Sequence, residues 1–400
     1  MAEGNPWLTI VGIGEDGPAC LSAASRAALD AAQWVTGARR HLALLPPLAC
    51  PVEPWPVPFE AGIAPLLARR GQRVVMLASG DPFWFGAGGT LARHLAPGEW
   101  VAHPAPSTFA LAAARLGWRL EETACLGLHA APPTRLRPHL APGVRAIVLV
   151  RDGEAALAAA RYVSDHGFGA SRIAVLEALG GPRERIRHAA AVDLALDDIA
   201  HPVALGIAFA GDGAVLPCTA GLADDWFAHD GQITKRPARA LTLSALAPRP
   251  GETLWDIGSG SGSIAIEWLL ACPSTRAIGF ERDPARAARA RANAAALGVD
   301  RLDVVEGVAP AVLAGRSPPD AVFVGGGLGE ALLDRLYADL PAGTRLVSNA
   351  VTLESEALLA SWHGRRGGQL LRIELAEAVP LGSRRGWRSS YPLVQWSVTL

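Results

Sequence analysis

Lysine is almost missing from this chain: Lys235 is the only one among 37 basic residues. Arginine carries nearly all the positive charge, so no single arginine can be read as selected over lysine for its fork geometry. Neither sign is in excess, and the formal net charge is −1. Such a chain has no global field that steers it to nucleic acid or to an anionic membrane. Cysteine is sparse and scattered, at Cys20, Cys50, Cys125, Cys218 and Cys272, with no C-x-x-C spacing. That argues against a zinc ribbon or a disulfide framework and fits a reducing compartment. No His, Asp and Glu cluster has metal-ligand spacing, so no metal is expected. Apolar runs long enough to span a bilayer are lacking. Residues 1–6 lack the basic start and apolar run of a signal peptide. A soluble, cytoplasmic protein is the expectation.

What is present is α/β alternation, in a chain too long at 400 residues for one ordinary domain. In the first half, apolar strands at 7–11, 73–78, 146–150 and 172–176 alternate with alanine-rich helices at 109–116 and 154–166. A break at 100–106 divides this half into two lobes, about 1–102 and 103–212, with a cleft between them. Residues 213–231 are rich in Gly and Asp and poor in periodicity, and read as a linker. From 232 to 400 the pattern is that of one doubly wound domain. A helix over 235–246 leads to a strand at Leu254, and later strands fall at 276–280, 303–305, 321–324, 344–347 and 393–398. One helix has clear end signals: Asp283 as N-cap, Pro284 in the first turn and Gly298 as the stop.

Two glycine loops follow strands. The second holds Gly258, Ser259, Gly260, Ser261 and Gly262, with Asp256 before it and Glu281 at the end of the next strand. Glycines there let backbone approach a ligand closely. A carboxylate in the place of Glu281 accepts hydrogen bonds from both hydroxyls of a ribose. S-adenosylmethionine suits this loop: it carries no phosphate, and Asp256 and Glu267 add negative potential toward a sulfonium. A dinucleotide site and a purely structural turn are the alternatives. The strand at 321–324 runs into Gly325, Gly326 and Gly327. Enzymes that methylate amino groups often place an Asn/Asp-Pro-Pro-aromatic run there, so its absence points to another acceptor, such as carbon; a mere glycine loop is the alternative. The first loop, from Gly12 to Gly17, matches G-x-G-x-x-G, yet Glu15 and Asp16 put two negative charges where a pyrophosphate would sit. It reads as a plain turn, another kind of active-site loop, or a dinucleotide site.

At these residues a resemblance appears. Gln232-Ile-Thr-Lys-Arg236, Ala240-Leu-Thr-Leu-Ser244, the loop from Leu254 to Gly262 and Ile266-Glu-Trp268 resemble the decarboxylating precorrin methyltransferases of cobalamin biosynthesis. Val11-Gly-Ile-Gly14, the run from Ser79 to Gly86, Pro104-Ala-Pro-Ser-Thr108, Leu126-Gly-Leu-His129 and the run from Glu177 to Glu184 resemble the tetrapyrrole methylases. Glu15 departs from the latter, many of which carry proline there. The order of the two halves is similar to that of fused enzymes of this pathway.

The resemblance implies an α/β protein with a two-lobed tetrapyrrole methylase domain at 1–212 and a Rossmann-like class I methyltransferase domain at 232–400. It implies two S-adenosylmethionine sites per chain. One would use Ser79, Gly80, Asp81, Trp84, Ser107, Thr108 and His129; the other Thr234, Gly258 to Gly262, Glu281 and Ala309. It implies a precorrin substrate, methylated at C5 and C15 and decarboxylated at the ring C acetate, and a homo-oligomer, with a tetramer through the C-terminal domain as the form suggested. A substrate with several carboxylates needs local cations. The candidates are Lys235, Arg236 and Arg239, and Arg384, Arg385 and Arg388 with Trp387 as an aromatic cap; a solvated face is the alternative for each cluster. No catalytic triad is expected, and no catalytic acid or base is assigned. The rival readings are a class I methyltransferase acting on RNA or protein with the first half as a recognition module, a nicotinamide enzyme using the Gly12 loop, and an inactive scaffold.

Overall fold

The computed structural model describes residues 6–400; the start of the chain, read above as lacking a targeting run, lies outside the described residues up to Asn5. The chain separates into two compact units. The first runs to Pro133 and resumes over His139–Ala214; the second holds Thr134–Pro138 and Val215–Leu400.

The first unit has two sheets. β1 (Leu8–Ile13), β2 (Trp34–Gly37), β3 (Val52–Pro54), β4 (Val74–Ser79) and β5 (Trp100–His103) form a parallel sheet in the order β3-β2-β4-β1-β5. The central strands are rich in Val, Ile, Leu and Met, and Leu8, Ile10, Val11, Val74, Met76 and Leu77 are all buried, as a sheet covered on both faces requires. The chain leaves β1 in one direction across the sheet and leaves β4 in the other, so a crevice opens at their carboxyl ends.

β6 (Thr123–Gly127), β7 (Arg145–Val150), β8 (Arg172–Glu177), β9 (Arg185–Ala190) and β10 (Val203–Ala208) form the second sheet, ordered β6-β7-β10-β8-β9. Only β6 and β7 are parallel; β10 lies antiparallel between β7 and β8. The helix after β5, Thr108–Leu116, is capped by Ser107, whose hydroxyl accepts from the Ala110 amide, and it stops at Gly117 with φ 66°. The helix after β7, Gly153–Val163, is capped in the same way by Asp152.

The second unit is built on β11 (Thr253–Ile257), β12 (Arg276–Glu281), β13 (Asp303–Glu306), β14 (Ala321–Val324), β15 (Arg345–Ala350) and β16 (Gln369–Ile373). A separate hairpin of β17 (Ala376–Leu381) and β18 (Arg384–Ser389) precedes the last strand, β19 (Leu393–Thr399). The sheet order is β13-β12-β11-β14-β15-β19-β16, with β19 alone running against its neighbours. It is a doubly wound sheet whose direction of travel reverses between β11 and β14. One face packs Leu254 and Phe323 against Ile264, Trp268, Ala287 and Ala290 of the flanking helices. The other packs Trp255, Phe280 and Val322 against Leu333, Leu336, Trp362 and Trp396. The helix expected from its end signals spans Pro284–Ala296, with Asp283 accepting from the Ala285 and Arg286 amides.

The stretch 213–231, expected as a linker, is not one through most of its length. Leu216, Leu222 and Phe227 lie in the core of the second unit. Its few apolar residues are spaced without period because they enter that core singly, from an irregular segment. No helix among the described residues is long and apolar enough to cross a membrane.

A protein beginning at Val215 is expected to fold on its own. One beginning at Gln232 loses three buried apolar side chains, and losing even one costs about 2–5 kcal/mol. Its urea midpoint should be lower or its transition absent. Equal midpoints for the two proteins would remove 215–231 from the core.

Candidate functional site

In the second unit the site is a meeting of backbones. β11 ends at Ile257 and the chain turns through Gly258, Gly260 and Gly262 with φ of 73°, 57° and 77°. These torsions favour glycine. A Cβ on Gly258 would lie 2.5 Å from the Gly326 amide nitrogen, so the loops after β11 and β14 touch at the reversal point. Glu281 closes the turn from the β12 side. It is buried; its Oε2 accepts from the Gly260 amide at 2.8 Å and its Oε1 from the Asp283 amide at 3.0 Å. Each oxygen keeps a second lone pair, so the carboxylate can still receive two hydroxyls. The Gly307 amide donates to the Glu281 carbonyl at 2.9 Å, which tethers the loop bearing half-buried Ala309 beside it.

Asp256 lies beneath this turn, 1% exposed. Its Oδ2 accepts from the Ser259 hydroxyl at 3.0 Å and the Ala265 amide at 3.2 Å, while its Oδ1 has no partner among the described residues. Burial pushes its carboxyl up to about 7, and nearby Glu281 adds to the rise. Ser261 is buried, and its carbonyl accepts from Asn293. The Ser259 hydroxyl and the Ser261 carbonyl thus brace the turn from within the chain. Thr234 is held through its carbonyl, which accepts from Arg239.

Two expectations fail here. Glu267 does not lend negative charge to the glycine turn, and Arg239 is not a substrate contact. Arg239 is fully buried and donates through Nε to Glu267 Oε1 at 2.5 Å, through Nη1 to Asp224 at 3.1 Å, and to the Thr234 and Leu222 carbonyls. Glu267 also accepts from the Gly221 and Leu222 amides at 2.6 and 3.0 Å. A charge this deep requires a partner and hydrogen bonds, and these two satisfy each other.

Of the other proposed cations, Lys235 is exposed, 3.7 Å from Asp224, and Arg236 is exposed beside it. Arg384, Arg385, Trp387 and Arg388 do not form one patch. They lie along β18, where alternate residues face opposite ways, so Arg384 and Arg388 share one face and Arg385 and Trp387 the other. Trp387 is 78% exposed.

In the first unit the crevice at β1 and β4 is also made by backbone contact. A Cβ on Gly12 would lie 1.9 Å from the Gly80 carbonyl oxygen and 2.5 Å from the Ala105 nitrogen. Gly80, with φ 48°, receives Gly12 so closely that a pyrophosphate has no room between them. Glu15 accepts from Arg40 at 2.8 Å and from Arg183 at 2.9 Å. The loop therefore packs onto the neighbouring loops and joins the two lobes, which leaves the dinucleotide alternative unsupported.

A cleft of about 600 Å³ opens there, within the usual range for small-molecule sites. Its lining includes Ser79, Gly80, Asp81, Trp84, Ser107, Thr108 and His129, so the structure brings all seven together. Asp81 Oδ1 accepts from the Phe83 amide at 2.8 Å and shapes the turn. Trp84 lies against Phe109 with ring centroids 4.9 Å apart. Ser107 caps a helix as well as lining the cleft.

Sequence reasoning missed Arg40, His41, Trp55, Val57, Phe85 and His201, which also line the cleft. Arg40 Nη2 donates to the Ser79 hydroxyl at 2.5 Å, and His41 Nε2 lies 3.0 Å from the same oxygen. Burial and the Arg40 charge push His41 down to about 3. One signal was available: Arg39, Arg40 and His41 come one residue after β2, at the carboxyl edge where ligands bind in such sheets.

Comparison with known proteins adds an independent line. Residues 7–195 match the model of the Tetrapyrrole (Corrin/Porphyrin) Methylases, and 225–400 match that of the Precorrin methyltransferase domain. The precorrin-6Y C(5,15)-methyltransferase (decarboxylating) of Sinorhizobium sp is 48% identical over 400 residues, 99% of this chain and 97% of its own. Its counterpart from Mycobacterium tuberculosis (strain CDC 1551 / Oshkosh) is 42% identical over 398 residues, 98% of this chain and 99% of its own. The crystal structure of the C-terminal domain of precorrin-6Y C5,15-methyltransferase from Rhodobacter capsulatus is 54% identical, covering 46% of this chain and 100% of that one, with a TM-score of 0.45.

Two expected outcomes follow from the second unit's turn. Glu281→Ala should weaken S-adenosylhomocysteine binding there at least tenfold, because one hydrogen bond to a charged group is worth about 1.5–3 kcal/mol. Calorimetry that finds S-adenosylhomocysteine binding unaltered in the variant would remove Glu281 from the site. The Asp256 carboxyl titrates near 7 when folded, above its ordinary value of 3.8. Its stabilising contribution is therefore complete below the unfolded value and is lost as pH rises through about 7. Asp256→Asn, which cannot ionise, should lose less stability than the parent on going from acidic to mildly alkaline buffer. Parallel urea curves for the two proteins across that range would show the carboxyl ionised throughout.

Proposed function

The chain belongs to the family of decarboxylating precorrin-6Y C(5,15)-methyltransferases, and from that premise we propose that each unit runs one methyl transfer to the same macrocycle. The second unit methylates C15 and releases carbon dioxide from the ring C acetate; the first methylates C5. The observation that carries this reading is the pair of glycine-built crevices, one per unit, each at a point where the sheet reverses direction.

Bound S-adenosylmethionine supplies an electrophilic methyl group on a sulfonium. The residues present fit that group. In the second unit the positive-φ turn from Gly258 to Gly262 exposes backbone, Glu281 offers two open lone pairs to a ribose, and Asp256 keeps an unpartnered buried oxygen whose ionised form a nearby cation would favour. Ala309 and Thr234 belong to the same proposed set. In the first unit the lining formed by Ser79, Gly80, Asp81, Trp84, Ser107, Thr108 and His129 supports a second donor site.

The work left to the protein is alignment and exclusion of water. Bridge carbons of a reduced tetrapyrrole are enamine-like and nucleophilic without a strong base. The electron pair left by departing carbon dioxide passes into the conjugated ring, so the substrate provides its own electron sink. Lys235, Arg236 and the β18 arginines are the cations proposed for its carboxylates.

The reading extends to a homo-oligomer, with a tetramer through the second unit as the form to test. A lone two-stranded hairpin is marginal in water, and Leu381 and Trp387 on β17 and β18 are 70% and 78% exposed, which supports an assembled state. Five free thiols fit a cytoplasmic setting.

Mass spectrometry of one turnover of the tetrapyrrole substrate is expected to show two methyl gains and one carbon dioxide loss, and calorimetry two S-adenosylhomocysteine sites per chain. A single methyl gain with one binding site would leave one unit without the proposed activity.

A further inference from the structure

Methylation of a bridge carbon leaves a proton to be removed, and the lining of the first unit's cleft points to the group that takes it. When the bridge carbon attacks the methyl group, a carbon–carbon bond forms. The carbon–sulfur bond breaks, and its electron pair stays on sulfur. The bridge carbon is now tetrahedral and still carries its hydrogen, and the positive charge spreads over the conjugated nitrogens. Conjugation returns when the carbon–hydrogen bond breaks, its electron pair entering the π system and its proton passing to a base.

The acid–base groups lining the cleft, among the described residues, are Glu15, His41, Asp81, His129 and His201. Glu15 is bound on one oxygen by Arg40 and on the other by Arg183, so its basicity is committed to an ion-pair triad. Asp81 folds back on its own turn through the Phe83 amide. His41 is buried behind Ser79 and pushed down to about 3, too weak a base for the task. His129 belongs to the set proposed to hold the methyl donor, and it also lines a second hollow beside the helix Gly153–Val163.

His201 remains. It is exposed in the cleft and stands just before β10, whose first residues Val203 and Ala204 line the same wall. We propose that His201 is the catalytic base of the first unit, receiving the bridge-carbon proton after methyl transfer; this rests on the reading of the cleft as the C5 methylation site.

Its electrostatic surroundings suit that role. Partial burial and the charges of Arg40 and Arg183 lower its pKa below the ordinary histidine value, while Glu15 and Asp152 act in the opposite sense. These groups come from the loops after β1 and β7, the segment after β2 and the β8–β9 turn, and buried neutral His41 also faces it. The imidazole is therefore unprotonated at neutral pH and able to accept. Once protonated, it has two carboxylates nearby and open solvent to which it can release the proton.

The test uses the full chain with His201→Gln and His201→Ala, and a precorrin substrate carrying deuterium at C5. Wild type should show C5 methylation with an acidic limb set by a group below the usual histidine range. Both variants should lose C5 methylation about 10²-fold or more, the low end for general acid–base catalysis. They should lose that limb, gain a primary isotope effect at C5, and keep C15 methylation, carbon dioxide release and both S-adenosylhomocysteine sites. Added imidazole should restore part of the His201→Ala rate. A C5 rate and pH limb equal to wild type would overturn the assignment. So would a fall in rate that keeps the limb, shows no isotope effect and resists imidazole, because that is the mark of a structural role. A wild-type protein that adds no methyl at C5 would instead overturn the reading of the cleft itself.

Discussion

Both candidate sites depend on one constraint: two loops must touch backbone to backbone where a sheet changes direction. In the first unit Gly12 meets Gly80 and Ala105; in the second, Gly258 meets Gly326. Any side chain at Gly12 or Gly258 would collide with main-chain atoms, which have no rotamer in which to escape. The crevice geometry follows from that contact. Donors, acceptors and aromatic walls are then placed around it by strand ends whose positions the sheet has already set.

Charge is disposed differently at the two crevices. Carboxylates that brace the structure are neutralised: Glu267 by Arg239, Glu15 by Arg40 and Arg183, and Glu177 by Arg185 and Arg187. The two at the second unit's glycine turn are left without a cation. Among the described residues Glu281 accepts from backbone amides and pairs with no cation, and Asp256 keeps one oxygen without a partner. Of the carboxylates near the glycine turn, Asp256 and Glu281 are therefore the two without an arginine partner among the described residues, whereas Glu267 is paired with Arg239.

Much of this was legible in the sequence. Glycines at fixed spacing after an apolar run, followed by a carboxylate at the next strand end, define a turn by local covalent geometry, and the structure brings Gly258 to Gly262 and Glu281 together at one. The seven first-unit residues were named through family likeness, because nothing local in Ser107 or His129 announces a shared cleft. Arg239 was misread because a buried arginine and an exposed one look alike in a string of letters; only the packing of Leu222, Phe227 and Glu267 around it decides. That Arg384, Arg385, Trp387 and Arg388 form one patch was misread for a related reason: adjacency in sequence becomes opposition in space once the segment is a strand. The order of the second sheet was beyond reach, since β10 reaches its place between β7 and β8 through long-range pairing.

Residues 215–231 carry a final consequence, this one for lineage. A polypeptide with two catalytic units invites separation into two genes, and the intuitive cut is the irregular, glycine-rich stretch between the recognisable motifs. Here that cut would strand the Arg239 guanidinium without Asp224 and the Leu222 carbonyl, and Glu267 without two amides. A viable fission has to fall upstream, near Ala214, so that the downstream gene inherits what looks like spacer. Descendants with independent C-terminal enzymes should therefore carry an N-terminal extension whose few apolar positions resist drift while the residues between them vary freely.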